Sequence, residues 1–471
     1  MAPVKAAQDE RGGAWEAGYS ARAPVAVLLA LSAVLVATWI LAPQRRVSGD
    51  TASHALAAWS LLSGRLGFVT PEDAQVGAWP EPPRVYLLEA QDGRWVTGYG
   101  LGVALILLPV YAVLAAAGAP PPFILSQQVS QGVACALAIL ALWLTTGVVA
   151  RLASRRAAGW AALTMALGSP MLSLLSRELW QQSVLTSLYG GAAWLLLRAG
   201  SSLRRATLVG GGVLVGYAAA VRPTAVVYAV LWGWAVWRLA GRRLVWFAAP
   251  VVLALGAVAW YQRLVFGQPW LAGQALIPLA KFGPGGVMSP NPLAALAGVL
   301  FSPGVGWFLF SPVFLLAVAL LWPAVWRAGG EGSPVRRVAR DLAVVAVLLN
   351  VVITTAYREW WGGWGYGPRY LADTLVLWVV ALGVVLGVAE RLSWTRRRLL
   401  TRLLVVLVLF SCAQHGAGLL VDPYGEESFH RRFDMDRHPE LLWQRSPALH
   451  NLQVVMGGWQ SEGAGGGGGA P

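Results

Sequence analysis

Long apolar runs follow one another along this chain, broken by short polar stretches that are either basic or rich in aromatic residues and glycine. A bilayer core near 30 Å takes about 20 helical residues, and several runs approach that length. The pattern predicts an all-α, polytopic helical membrane bundle of about 11 spans. These cover residues 23–42, 126–150, 157–176, 182–197, 206–221, 224–237, 244–261, 304–322, 342–356, 371–389 and 403–420. The polar segment 43–98 is the first long loop. Within it, residues 51–63 carry helical apolar spacing and predict a helix lying along the outer surface. Residues 99–117 are apolar enough to span but carry Pro109, and the charge pattern places them as a re-entrant or interfacial element on the outer side. The pair that turns at Arg222-Pro223 is short for a full crossing.

Charge sets the orientation. Basic clusters at Arg151/Arg155/Arg156, Arg198/Arg204/Arg205, Arg238/Arg242/Arg243, Arg327/Arg336/Arg337/Arg340 and Arg391/Arg396/Arg397/Arg398/Arg402 fall on alternate loops. Positive loops stay inside, so the N-terminus (residues 1–22) is expected to be cytoplasmic and the tail (421–459) extracytoplasmic. Most acidic residues and all five histidines then lie outside. The formal net charge of +14 therefore reads as topology and affinity for anionic lipid, not as a nucleic-acid signal. The domain reading is a membrane domain over 23–420, an outer tail over 421–459 and a Gly-rich, disordered end over 460–471. A bacterial-type plasma membrane is the expected location.

Composition agrees: 57% of residues are hydrophobic and 12% charged, about half the charge of a soluble domain. The two cysteines, Cys135 and Cys412, lie inside apolar runs, which argues against a disulfide framework. No nucleotide-binding or zinc-protease fingerprint is present.

The candidate chemistry is on the outer side. Residues 357–370 pack two Arg, one Glu, three Trp and three Tyr around four Gly and a Pro, so a regular helix is excluded. Aromatic faces suit sugar rings, and a guanidinium suits phosphate. Trp and Tyr also collect at membrane interfaces, but an aromatic belt needs neither Arg358, Arg369 nor Glu359. Asp50, just past the first span, is a candidate general base or a plain helix N-cap. Arg177 and Glu178, squeezed between two spans, face a watery cavity or form a structural ion pair. Arg222 precedes the helix break or snorkels. Arg263, Lys281 and the turn at Phe266-Gly267-Gln268-Pro269 have weaker claims on the same side. His54 has no partner spaced for a metal site. Residues 300–312, with two Ser-Pro steps, predict a broken membrane helix that lines something.

These features together resemble the GT-C superfamily. The resemblance rests on an acid just after the first span, a long outer first loop, an outer Ser176-Arg177 after the third span, and residues 300–307, 360–370 and 441–447. It covers essentially the whole chain. GT-C proteins are membrane glycosyltransferases using polyprenyl-phosphate sugars, and the nearest type is the bacterial branch of protein mannosyltransferases and aminoarabinose transferases.

The resemblance implies an inverting transferase with Asp50 as base; Glu178 is the one residue that could substitute for a second catalytic acid, and its position is not the family's usual one. It implies that Arg369, Arg358, Arg222 and Arg177, with Glu359, Trp361, Trp364, Tyr366 and Tyr370, hold donor phosphate and sugar. The expected partners are a polyprenyl-phosphate-linked sugar, a glycan, lipid or protein acceptor, and membrane lipid, with no nucleic acid. Many relatives carry a second acid a few residues past the Ser-Arg. Here those positions are Trp180, Gln181 and Gln182, which weakens the case for a bound divalent cation, and no metal ligand is assigned. The alternatives are a non-enzymatic transporter or flippase for a lipid-linked sugar, and an inactive structural subunit.

Overall fold

The computed structural model describes residues 22–41, 48–76, 86–198, 203–270, 273–284, 286–330, 333–425, 427–435 and 438–457. Five helical stretches among them are long and apolar enough to cross a bilayer: Pro121–Leu152, Ala225–Phe266, Pro334–Ala356, Tyr370–Ala389 and Trp394–Ala417. Shorter apolar helices fill the bundle, including Val25–Leu41, Gly102–Ala116 and Arg205–Val221.

The bundle sorts its helices by what they face. Leu375–Ala389 is buried almost all round, as a helix apolar on every side must be when it sits inside a bundle. The stretch Ala225–Phe266 is also apolar, yet its most apolar window is little covered by protein, which leaves an apolar face suited to lipid. Helix Gln127–Leu152 runs along Gln181–Arg198, and Arg205–Val221 runs along Val245–Phe266. The second pair is held close by Gly212, where an added Cβ would lie 2.2 Å from the Phe247 carbonyl oxygen.

Local chemistry explains the ends. Arg205–Val221 stops at Arg222 because Pro223 follows. Val245–Phe266 closes on Gly267 with φ 78°, the left-handed position that glycine takes without strain. Ser154 caps the helix from Arg155 by accepting from the Ala157 N–H at 3.0 Å, while donating to Glu390 Oε1 at 2.7 Å. That contact ties the loop after residue 152 to the end of the central helix.

Three expectations need correction. The helix in the first loop, Gly49–Leu62, is not a surface helix: most of its residues are buried, covered by the helix Gly102–Ala116 and by a small sheet. That sheet is itself absent from an all-α reading. Its three antiparallel strands lie in the order Phe68–Val69, Trp95–Thr97, Leu87–Glu89. Phe68 pairs with Val96, and Leu88 pairs with Val96 from the other side. Strands of two or three residues carry no readable alternation, which is why the pattern missed them. Finally, the run 304–322 is not one helix. It breaks at Ser311 into the short helix Trp307–Phe310 and a second helical stretch, Pro312–Leu321, that mixes 3-10 and α turns.

The break is stitched from both sides. His415 bridges Ser311 Oγ (2.8 Å from Nε2) and Ser173 Oγ (2.8 Å from Nδ1). Ser173 lies in the π-helical turn Met171–Leu175. The tail folds back over this end: Met435 and Leu442 pack with Val305, Trp361 and Phe429. The predicted cytoplasmic N-terminus and the Gly-rich end fall outside the described residues, apart from Arg22.

Candidate functional site

Asp50 sits in the first turn of Gly49–Leu62, with Ser48 as the N-cap. The Ser48 hydroxyl accepts from the Thr51 N–H at 3.1 Å and from Trp180 Nε1 at 2.7 Å. It also lies 3.2 Å from Glu178 Oε2, which accepts a second hydrogen bond from Thr51 Oγ1 at 2.6 Å. Thus Glu178 and Trp180, on the far side of the sequence, fix the helix start that aims Asp50. Gly49 is required beside it, because an added Cβ would meet the Tyr86 ring at 2.0 Å.

The Asp50 carboxylate has two partners. Tyr99 donates to Oδ1 at 2.7 Å, and the Arg369 guanidinium pairs with Oδ2. Arg369 also stacks on the Trp180 ring, 3.8 Å from its centroid, and donates to the Gly362 carbonyl at 3.3 Å. Stacking on an indole while donating sideways is a geometry open to arginine and not to lysine. Gly362, Gly363 and Gly367 all have positive φ, which is how the aromatic loop bends back to bring Arg369 over Asp50.

Around this pair lies a cavity of about 560 Å³, within the range that holds small ligands. Asp50, Arg369, Glu359, Trp364 and Tyr370 line it, together with Tyr86, Tyr99, Gln181, Gln182 and Tyr424. The sequence-predicted residues therefore divide. Five converge on the cavity. Glu178 is buried behind Ser48 and Thr51, where desolvation pushes its carboxyl up to about 7 against the opposing hydroxyl hydrogen bonds and Arg177.

Trp361 points into the tail-facing cluster. Tyr366 packs with Trp180 and Phe310 and donates to the Gln414 carbonyl at 2.6 Å. Arg177 is buried and donates to the Gly418 carbonyl at 2.9 Å. Arg358 lies over the Phe282 ring, 4.4 Å from its centroid. Arg222 pairs with Asp373, at 2.8 Å to both oxygens, beneath the Tyr370 ring. None of these five, nor Glu178, lines the cavity. Each holds an element that does, or joins the tail to the bundle.

Sequence reasoning passed over Tyr86, Tyr99, Tyr424 and Asp373, and read Gln181 and Gln182 only as the place of a missing acid. Only the glutamines carried a signal: two amides opening an apolar run directly after Ser-Arg-Glu-Leu-Trp are out of place unless they face something polar. For a divalent cation, no group of three or more His, Cys, Asp or Glu side chains comes together among the described residues. The positive charge facing Asp50 is that of Arg369.

The architecture can now be set beside known ones. The chain superposes on the oligosaccharyltransferase of Archaeoglobus fulgidus, crystallised with a tethered acceptor peptide, with a TM-score of 0.53. Sequence identity there is 13%, and the match covers 91% of this chain and 60% of that one. The fold is that of the Archaeoglobus fulgidus oligosaccharyltransferase.

A second structure of the same archaeal protein, AglB with an inhibitory peptide and a dolichol-phosphate, matches at TM-score 0.53 and 12% identity over the same shares. ArnT from Cupriavidus metallidurans bound to undecaprenyl phosphate matches at 0.48 and 15% identity, over 93% of this chain and 76% of that one. The chain spans about 60% of the length of the archaeal oligosaccharyltransferase. No protein-family model matches the sequence, and no curated protein does so significantly.

Proposed function

We propose that this chain is a membrane glycosyltransferase that moves a sugar from a polyprenyl-phosphate donor to an acceptor hydroxyl, working on the extracytoplasmic face. One observation carries the reading: on a GT-C fold, a carboxylate and an arginine face each other in a cavity walled by tyrosines and a tryptophan. The archaeal neighbour's complex with a dolichol-phosphate supports a lipid phosphate as the donor's leaving group.

In this reading Asp50 accepts the proton of the acceptor hydroxyl. That oxygen attacks the anomeric carbon from the side opposite the phosphate, and the bond between that carbon and the phosphate oxygen breaks. The configuration inverts, and the polyprenyl phosphate leaves with the bonding electrons. Arg369, on its indole shelf, holds the charge that develops on the phosphate. Because Arg369 pairs with Asp50 in this structure, donor binding draws the guanidinium toward phosphate and frees Oδ2 for the acceptor. Trp364 and Tyr370 supply faces for the sugar.

The test is mass spectrometry of lipid-linked sugars and surface glycans in deletion cells carrying wild type or Asp50→Asn. Deletion should accumulate a lipid-linked sugar that wild type consumes. Asp50→Asn should lower turnover by roughly 10²–10⁴-fold, the usual worth of a general base, while still binding donor lipid. If both versions restore the same pattern, Asp50 is not the base, and transport of the lipid-linked sugar becomes the better account.

A further inference from the structure

We propose that Tyr99 is a positioning residue for Asp50, holding one carboxylate oxygen in place while the other is exposed to the acceptor. The inference rests on the reading of Asp50 as the base.

The geometry is specific. The Tyr99 hydroxyl donates to Asp50 Oδ1 at 2.7 Å, whereas Arg369 takes the other oxygen. A carboxylate held only by Arg369 would swing with it when the guanidinium turns to a phosphate. A second donor on Oδ1 prevents this and leaves Oδ2 directed into the cavity. Tyr99 is itself braced: its ring packs against His54, at 5.1 Å, and Tyr86, at 5.9 Å between centroids. Its backbone N–H is 3.2 Å from Thr97 Oγ1, and that hydroxyl contacts Ser53 on the helix that carries Asp50. The clamp therefore joins the sheet to the helix it serves.

Burial raises the Tyr99 phenol well above its ordinary value, so it stays a donor throughout the working range. Among the described residues, the charged and titratable groups around Asp50 are Arg369, Tyr99, Tyr86, Glu178 behind Ser48 and Thr51, and Tyr357, Glu359, Tyr370 and Tyr424 across the cavity. Of these, Tyr99 and Arg369 touch the carboxylate by hydrogen bond or ion pair.

The experiment uses the full chain in detergent and needs no substrate. Asp50 is labelled with a water-soluble carbodiimide plus an amine, which reacts with the protonated carboxyl. Labelling is followed against pH by peptide mass spectrometry, with Asp50→Asn as the blank. Tyr99→Phe keeps the ring packed and removes only the hydroxyl. Losing a hydrogen bond to the charged form should raise the labelling midpoint by about one pH unit. In cells the same variant should lower sugar transfer on the order of tenfold and add nothing to Asp50→Asn in the double variant.

An unchanged midpoint overturns the positioning role, even if transfer falls, because a merely structural defect would not move it. Normal transfer by Asp50→Asn would overturn the general-base reading instead, and the Tyr99→Phe midpoint would still report on the contact.

Discussion

Arg369 makes two contacts that a shorter or more flexible cation would not: it pairs with Asp50 and stacks on Trp180. Hydrogen bonds to charged groups are worth about 1.5–3 kcal/mol, or roughly ten- to a hundredfold in affinity. Arg369→Ala should weaken binding of fluorescent undecaprenyl phosphate by at least tenfold in a detergent titration, and an unchanged affinity would remove it from the phosphate site.

Glu178 makes a different prediction. Its folded value, about 7, lies above the ordinary 4.5. The folded state therefore holds more protons than the unfolded state between these values, and stability falls as pH rises through the window. Glu178→Gln should leave Tm unchanged below about pH 4.5 and raise it above about pH 7, as measured by thermal unfolding across pH. A Tm gain at low pH alone would reverse the assigned sign.

At the scale of elements, the aromatic loop is held from below by Arg222–Asp373, a buried ion pair that joins the break at Pro223 to the start of the central helix. Removing one partner of such a pair costs about 3–5 kcal/mol, whereas replacing both with apolar residues of similar volume is often neutral. Arg222→Ala should lower Tm sharply, and Arg222→Met with Asp373→Leu should recover most of the loss. Failure of the double variant to recover would show that Arg222 does more than pair.

The helix pair meeting at Gly212 is tighter still. Gly212→Val pushes side-chain atoms into the Phe247 carbonyl, with no flexible neighbour to give way, and should abolish monodisperse protein in size-exclusion chromatography.

At the scale of the whole molecule, the cavity lies where the first-loop helix, the small sheet, the turn before Gln181 and the aromatic loop meet. Positive loops stay inside, so we propose that this cavity opens on the extracytoplasmic face. Cysteine scanning in a background lacking Cys135 and Cys412 checks this. Arg151→Cys should resist a membrane-impermeant maleimide in intact cells, and Gln268→Cys should react. The opposite pattern would invert the orientation and move the site to the cytoplasm.

Much of the bundle was legible because a helix must satisfy its own backbone in lipid, so apolar length alone predicts it. The observed helices Gln127–Leu152, Arg205–Val221 and Trp394–Ala417 cover most of three predicted runs. Asp50 and the loop carrying Arg369 stood out for the same reason: polar groups beside a bilayer are costly and therefore conspicuous.

What the sequence determined by itself was the succession of apolar helices and the segregation of charge. It also marked which stretches held chemistry too costly to be incidental. Tertiary structure decided how that chemistry is shared out. Arginines 358, 369, 222 and 177 look alike in the chain, yet only Arg369 reaches Asp50, because three glycines with positive φ fold the loop back over it. Glu178 reads as a catalytic acid, and the structure shows its carboxylate accepting from two hydroxyls at the helix start. Tyr99 sits at the edge of an apolar run and becomes a partner of Asp50 through strands too short to leave a pattern. Contacts between residues separated by 49 or 319 positions depend on the paths of every element between them, and no local spacing encodes those paths.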